Sequence, residues 1–184
     1  MLKNARLLYL TIALQKLGTA VVKTTHADAA LAYLSAGTYT ALTASLLPEE
    51  VRAAMDATGV DFAMDVHGDE AIPANFIAGF EGIPSWTERQ GKLYDAYLAA
   101  LLKASPDFQT KLGSPIAKPR KGNLSMSTNQ VAERYGCVAM TLEMPFKDNH
   151  ELPDADFGWS PERCALLGRA CLSALLDMID EIPA

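Results

Sequence analysis

The residues whose chemistry is most worth following are one histidine and one glutamate, far apart in the chain but in similar settings. His67 lies in Asp65-Val66-His67-Gly68-Asp69-Glu70, and Glu143 in Thr141-Leu142-Glu143-Met144-Pro145-Phe146-Lys147-Asp148. Each sits where a short apolar run, readable as a buried strand, gives way to a polar loop. Open α/β sheets bind ligands at the carboxyl ends of their strands, so the imidazole and the carboxylate are expected to meet at one crevice. A neutral imidazole is the commonest metal ligand. A carboxylate beside a metal-bound water is a standard general base. The competing reading of His67 is a strand-end histidine held by Asp65 or Asp69, and that of Glu143 is an edge charge on a solvated strand. The apolar run before Glu143 weighs against the latter, because a buried carboxylate needs a partner or a raised pKa.

The elements that must position this pair are legible from Pro48 onward. Pro48-Glu49-Glu50 has the character of a first helical turn, and Gly59 of a stop. Val60 to Val66 follows as a strand, with Asp61, Ala63, Asp65 and His67 on one face and Val60, Phe62, Met64 and Val66 on the other. Thr87 to Gln90 has capping-box spacing and opens a helix to about Ser105. Its apolar stripe is Leu93, Tyr94, Tyr97, Leu98, Leu101 and Leu102. Residues 106–126 read as a long loop with Pro106, Gly113, Pro115, Pro119 and Gly122, and loops of that length are often lids or binding loops. Ser127 to Gln130 again has capping-box spacing, for a short helix that Gly136 ends. Cys137 to Glu143 is the second strand. Ser160 and Pro161 open a last helix with a buried stripe of Cys164, Leu167, Cys171, Ala174, Leu175, Met178 and Ile182.

Residues 1–47 have another texture, rich in Ala, Leu and Thr, with no clean helical or strand period. The run Leu7 to Leu14 after Lys3 and Arg6 faintly has the form of a signal peptide, but it meets Gln15 and Lys16 without a clear cleavage site. It reads rather as an ordinary helix or a misplaced segment, and is far too short to span a membrane.

Composition narrows the classes. The 184 residues suffice for one domain with a real core, and 49% hydrophobic with 21% charged residues is a globular balance. A net charge of -6 argues against nucleic acid as a partner. The three cysteines, Cys137, Cys164 and Cys171, form no CxxC, which favours a reducing, cytoplasmic setting.

Two long segments then resemble a known family. DVHGDEAIPANFIAGFEGIPSW (65–86) is similar to the second zinc-site segment of zinc carboxypeptidases of the bacterial cytosolic-carboxypeptidase-like subgroup. GNLSMSTNQVAERYGCVAMTLEMPFKDN (122–149) is similar to the segment that carries that family's catalytic glutamate. The resemblance runs from about Val51 to the end. It implies a twisted mixed β-sheet flanked by helices, a Zn2+ cofactor, and hydrolytic removal of a C-terminal residue, often glutamate, from a peptide or protein. It implies His67 as the last zinc ligand and Glu143 as general base and acid. Arg120 and Lys121, in the long loop, would grip an acidic side chain or the terminal carboxylate, or are simply solvated. Asp65 would orient a ligand or, as the favoured reading, satisfy loop amides. Asp69 and Glu70 would bind metal, shape the loop or contact substrate. Trp86 and Trp159 read as packing anchors.

The departures are equally specific. The family's first two zinc ligands lie in an upstream HxxE segment. His67-Gly68-Asp69-Glu70 has that spacing but the later motif's context, while His26 and His150 have no glutamate three residues on. The family's substrate-gripping Asn and Arg should precede Pro48, where Arg6 is the only arginine and does not match. The chain therefore resembles the C-terminal half of a catalytic domain, at 48–184, with 1–47 a non-matching start, unrelated or frame-shifted. Upstream DNA with no HxxE-coding segment in any frame would contradict that. The expected activity is a zinc metallocarboxypeptidase, and the alternative is a truncated, inactive fragment lacking the first ligands. Half a sheet exposes an edge, so self-association is expected if the N-terminal segment does not substitute for the missing part. No membrane partner is expected.

Overall fold

Alternating and continuous apolar runs place the strands, and the computed structural model describes them together with the helices between. It describes residues 8–14, 18–24 and 49–182, with only the backbone for the first two segments. Strands β1 (Leu8–Leu14) and β2 (Gly18–Thr24) come first, then helix α1 (Glu49–Thr58) and strand β3 (Phe62–Asp69). Strand β4 (Phe76–Ala78), helix α2 (Glu88–Ala104), helix α3 (Ser127–Tyr135), strand β5 (Val138–Pro145) and helix α4 (Pro161–Asp177) complete the order. The five strands form one sheet in the order β2-β1-β3-β5-β4. The β1–β3 and β3–β5 pairs are parallel, while β1–β2 and β4–β5 are antiparallel. This is the mixed sheet flanked by helices that the sequence implied.

Two strand-level expectations change. The run Leu7 to Leu14, expected as a helix or a misplaced segment, contains β1, parallel to β3 with Tyr9 opposite Ala63. Its β-compatible Leu, Tyr, Thr and Ile residues are completed by tertiary pairing that no local period reveals. β3 also runs on to Asp69 rather than ending at Val66, because β5 continues beside it as far as Pro145. His67 therefore stands within the strand.

The core forms on both faces. Toward one, Phe62 packs against Tyr97 at a ring separation of 5.3 Å, and the Tyr97 hydroxyl donates to the Cys171 carbonyl at 3.1 Å, joining α2 to α4. On α2, Leu93, Tyr94, Tyr97 and Leu101 are buried and Leu98 is half-buried, but Leu102, expected in the stripe, is exposed. On α4 the expected stripe is buried at Leu167, Cys171, Ala174 and Leu175, with Cys164 half-buried. Met178 and Ile182 are buried just past the helix end. Toward the other face lies α3, whose Val131 and Ala132 are buried.

The caps show how tightly local sequence sets α2. Thr87 Oγ1 accepts from the Gln90 amide at 3.2 Å, Gln90 Oε1 accepts from the Thr87 amide at 3.0 Å, and Gln90 Nε2 reaches the Cys137 carbonyl at 3.1 Å. The same spacing at Ser127 gives no capping box: the N-cap of α3 is Met126, without a side-chain cap. Gly136 ends α3 in the left-handed region, at φ 66°, where a side chain is disfavoured.

A polar network pins the loops behind the sheet. Arg163 bonds Asp107 and reaches Asp148 Oδ1 at 3.0 Å, the Gly158 carbonyl at 3.0 Å and the Leu152 carbonyl at 2.7 Å, with its guanidinium 4.9 Å from the Trp159 ring. Asn75 and Asn149, both fully buried, each donate to the Asp107 carbonyl.

Candidate functional site

The register of β3 and β5 builds the site. His67 stands directly opposite Glu143, Asp65 opposite Thr141, and Ala63 opposite Ala139. Partners in a parallel ladder point to the same side, so the imidazole and the carboxylate share one face at the carboxyl ends of adjacent central strands. Both are half-buried. On its other side Glu143 is opposite Phe76 of β4. At the strand ends the Phe146 ring lies over Gly68, where a Cβ would come within 2.5 Å of it.

Electrostatics raise both members of the pair above their ordinary values. Burial pushes the Glu143 carboxyl up to about 7; the nearby Asp69, Asp65 and Glu70 add to this and His67 opposes it. The His67 imidazole is raised above its ordinary value mainly by the Asp65 carboxylate, helped by the charge of Glu143, against the effect of burial. Because each acts on the other, their titrations belong to the pair.

Asp65 is where sequence reasoning went astray. Instead of satisfying loop amides, its Oδ2 lies 3.0 Å from His67 Nε2 and accepts from Ser127 Oγ at 2.7 Å. Asp69 takes the loop-shaping role, its Oδ1 accepting from the amides of Ala71 at 2.7 Å and Ile72 at 2.6 Å. Glu70 and His150 are exposed. His26 and Arg6 lie outside the described residues.

The long loop forms a wall rather than a strand or helix. Residues 108–117, β4, the middle of α2 and the approach to α3 line a cavity of about 590 Å³ one strand over from Glu143. Lys121 lines it, together with Glu81, Tyr94, Asp95 and Asn129. Burial, with Asp95 nearby, raises the Glu81 carboxyl. Arg120 is exposed, with a φ of 61°, and does not line that cavity. β4 and the cavity escaped the sequence reading because a three-residue strand has no measurable period. Trp86 packs 5.0 Å from Phe80, and Trp159 lies beneath Arg163.

Catalytic zinc takes three protein ligands and leaves one position open. Among the described residues no group of three or more His, Cys, Asp or Glu side chains converges in that way. His67 offers zinc-type chemistry: Asp65 occupies its Nε2, and Nδ1 makes no hydrogen bond among the described residues. The donors are thus right in kind and short in number, and a complete zinc site does not fit the described residues alone.

No family profile matches the chain. It is 55% identical over 143 residues to an uncharacterized protein of Zymomonas mobilis, covering 77% of this chain and 38% of that one. Among solved structures it is similar to a candidate carboxypeptidase A from Shewanella denitrificans, at 47% identity and a TM-score of 0.72, covering 73% of this chain and 36% of the other. A metallo-carboxypeptidase from Pseudomonas aeruginosa, in complex with (2-guanidinoethylmercapto)succinic acid, gives 40% identity and a TM-score of 0.71 over the same shares. A metallo-carboxypeptidase from Burkholderia cenocepacia gives 47% and 0.67, over 71% of this chain and 34% of that one. The chain spans between a third and two-fifths of the length of these relatives.

Proposed function

We propose that this chain, whose sequence and fold match part of a metallo-carboxypeptidase, works in metal-dependent removal of the C-terminal residue from a peptide or protein. One observation carries this reading: His67 and Glu143 are opposite one another on adjacent central strands, on one face, with the carboxyl pushed up to about 7. In this reading the metal is zinc, held by His67 together with ligands from outside the described residues, and it would supply Lewis acidity. Glu143 is the group that takes up and returns a proton at its carboxylate. A carboxyl titrating near neutrality is matched to both acts.

The cavity beside β4 is read as the place for the terminal residue, and Lys121 on its wall as the group that attracts a carboxylate. Glutamate is the residue we favour. Arg120, exposed beside Lys121, is assigned to the rim. The free cysteines, two buried and one half-buried, support a cytoplasmic setting, and no described helix is long and apolar enough to cross a membrane.

The test is release of glutamate from a peptide ending in glutamates. Activity should fall with chelator and return with zinc. It should drop by about 10²–10⁴-fold in Glu143→Gln, the range for a lost general acid–base. Lys121→Ala should raise KM for that peptide more than for one ending in alanine. The second reading, a catalytically silent fragment, is favoured by the lack of a three-ligand cluster among the described residues. Absence of chelator-sensitive release would select it.

A further inference from the structure

A serine in the first turn of a helix ordinarily serves the helix's own free amides. Ser127, the first residue of α3, does not: the N-cap is Met126, without a side-chain hydrogen bond. The Ser127 hydroxyl instead donates across 62 residues to Asp65 Oδ2, at 2.7 Å. The same oxygen lies 3.0 Å from His67 Nε2. The other oxygen, Asp65 Oδ1, is buried and has no partner among the described residues. A single oxygen therefore carries both contacts, and Ser127 provides one of the two that fix the carboxylate. With the Asp65 side chain only 14% exposed, water is poorly placed to substitute.

The next residue repeats the pattern on the adjacent strand. Thr128 Oγ1 and Thr141 Oγ1 are 2.7 Å apart and buried. Asp65 and Thr141 are register partners, each two residues before a member of the pair: His67 on β3 and Glu143 on β5. The first turn of α3 thus grips both central strands through two consecutive hydroxyls, just upstream of the site.

We propose that Ser127 is a positioning residue, which through Asp65 fixes the ring orientation and tautomer of His67. With Nε2 turned to the carboxylate, Nδ1 is left as the electron-pair donor. A carboxylate behind an imidazole tunes a ligating ring in this way; here the carboxylate is itself held by a helix. The inference rests on the metal-ligand reading of His67 for its functional meaning, but its test does not.

The experiment is nitrogen NMR of the His67 ring in the metal-free chain, above the titration of the ring, in the wild type and in Ser127→Ala, Ser127→Thr and Thr128→Val. The wild type should hold the neutral proton on Nε2. Ser127→Ala should move the tautomer ratio by about fivefold, the effect of one ordinary hydrogen bond. Ser127→Thr, which keeps the hydroxyl, should restore it, and Thr128→Val should leave it unchanged. A tautomer ratio unaltered in Ser127→Ala overturns the proposal, as does one moved equally by Thr128→Val, which would mark a general loosening of α3. Loss of chelator-sensitive peptidase activity as a finding, with the tautomer result intact, would remove the functional reading and leave the positioning role standing.

Discussion

Glu143 carries the plainest prediction at the scale of a residue. Its carboxyl is raised from an ordinary 4.5 to about 7, first by burial. A raised folded-state value means that the protonated form suits the fold. Its contribution to stability is full below the unfolded value and is lost as pH rises through about 7. Glu143→Gln, which keeps the neutral shape, should therefore gain in Tm over the metal-free wild type as pH rises. The gain should be small near about pH 5 and larger near about pH 8.5. Thermal melts at the two pH values check this, and equal differences would mean that burial does not strain the carboxylate. The residue scale is also where sequence was most legible. The strand-end settings of His67 and Glu143 sufficed to expect them at one crevice, since register on parallel strands follows from two apolar runs. The role of Asp65 was not legible, because its partner Ser127 is 62 positions away and had a local explanation as a cap.

The second scale is that of the elements and the loops between them. α2 and α4 followed from capping residues and apolar spacing, because those signals lie within a single turn. β1 did not, since it exists through pairing with β3, and β4 did not, since three residues have no period. The loops after α2 and β5 depend on Arg163, whose guanidinium joins Asp107, Asp148 and the carbonyls of Gly158 and Leu152. Arg163→Ala would leave Asp107 facing Asp148 without a cation. Hydrogen bonds to charged groups contribute about 1.5–3 kcal/mol, so a loss of about 2–3 kcal/mol is expected. Denaturant unfolding measures it. A change below about 0.5 kcal/mol, typical of ordinary surface sites, would show that the network is incidental to the loops.

At the scale of the whole molecule, two features bear on behaviour in solution. Among the described residues β2 and β4 are the outermost strands of the sheet, and Phe157, Ile116, Leu166 and Phe146 are large apolar side chains more than half exposed. Exposed apolar surface and strand edges favour association. Light scattering after size exclusion should give a mass above 19.8 kDa that rises with concentration; a single monomeric peak at all concentrations would contradict that. The most direct test of the central claim is the zinc content of the purified chain after equilibration with the metal, set against His67→Ala. One zinc per chain is expected in the wild type and none in the variant, with the other ligands coming from residues beyond those described. No specific zinc, or zinc retained in His67→Ala, would contradict the assignment of His67 as the ligand opposite Glu143.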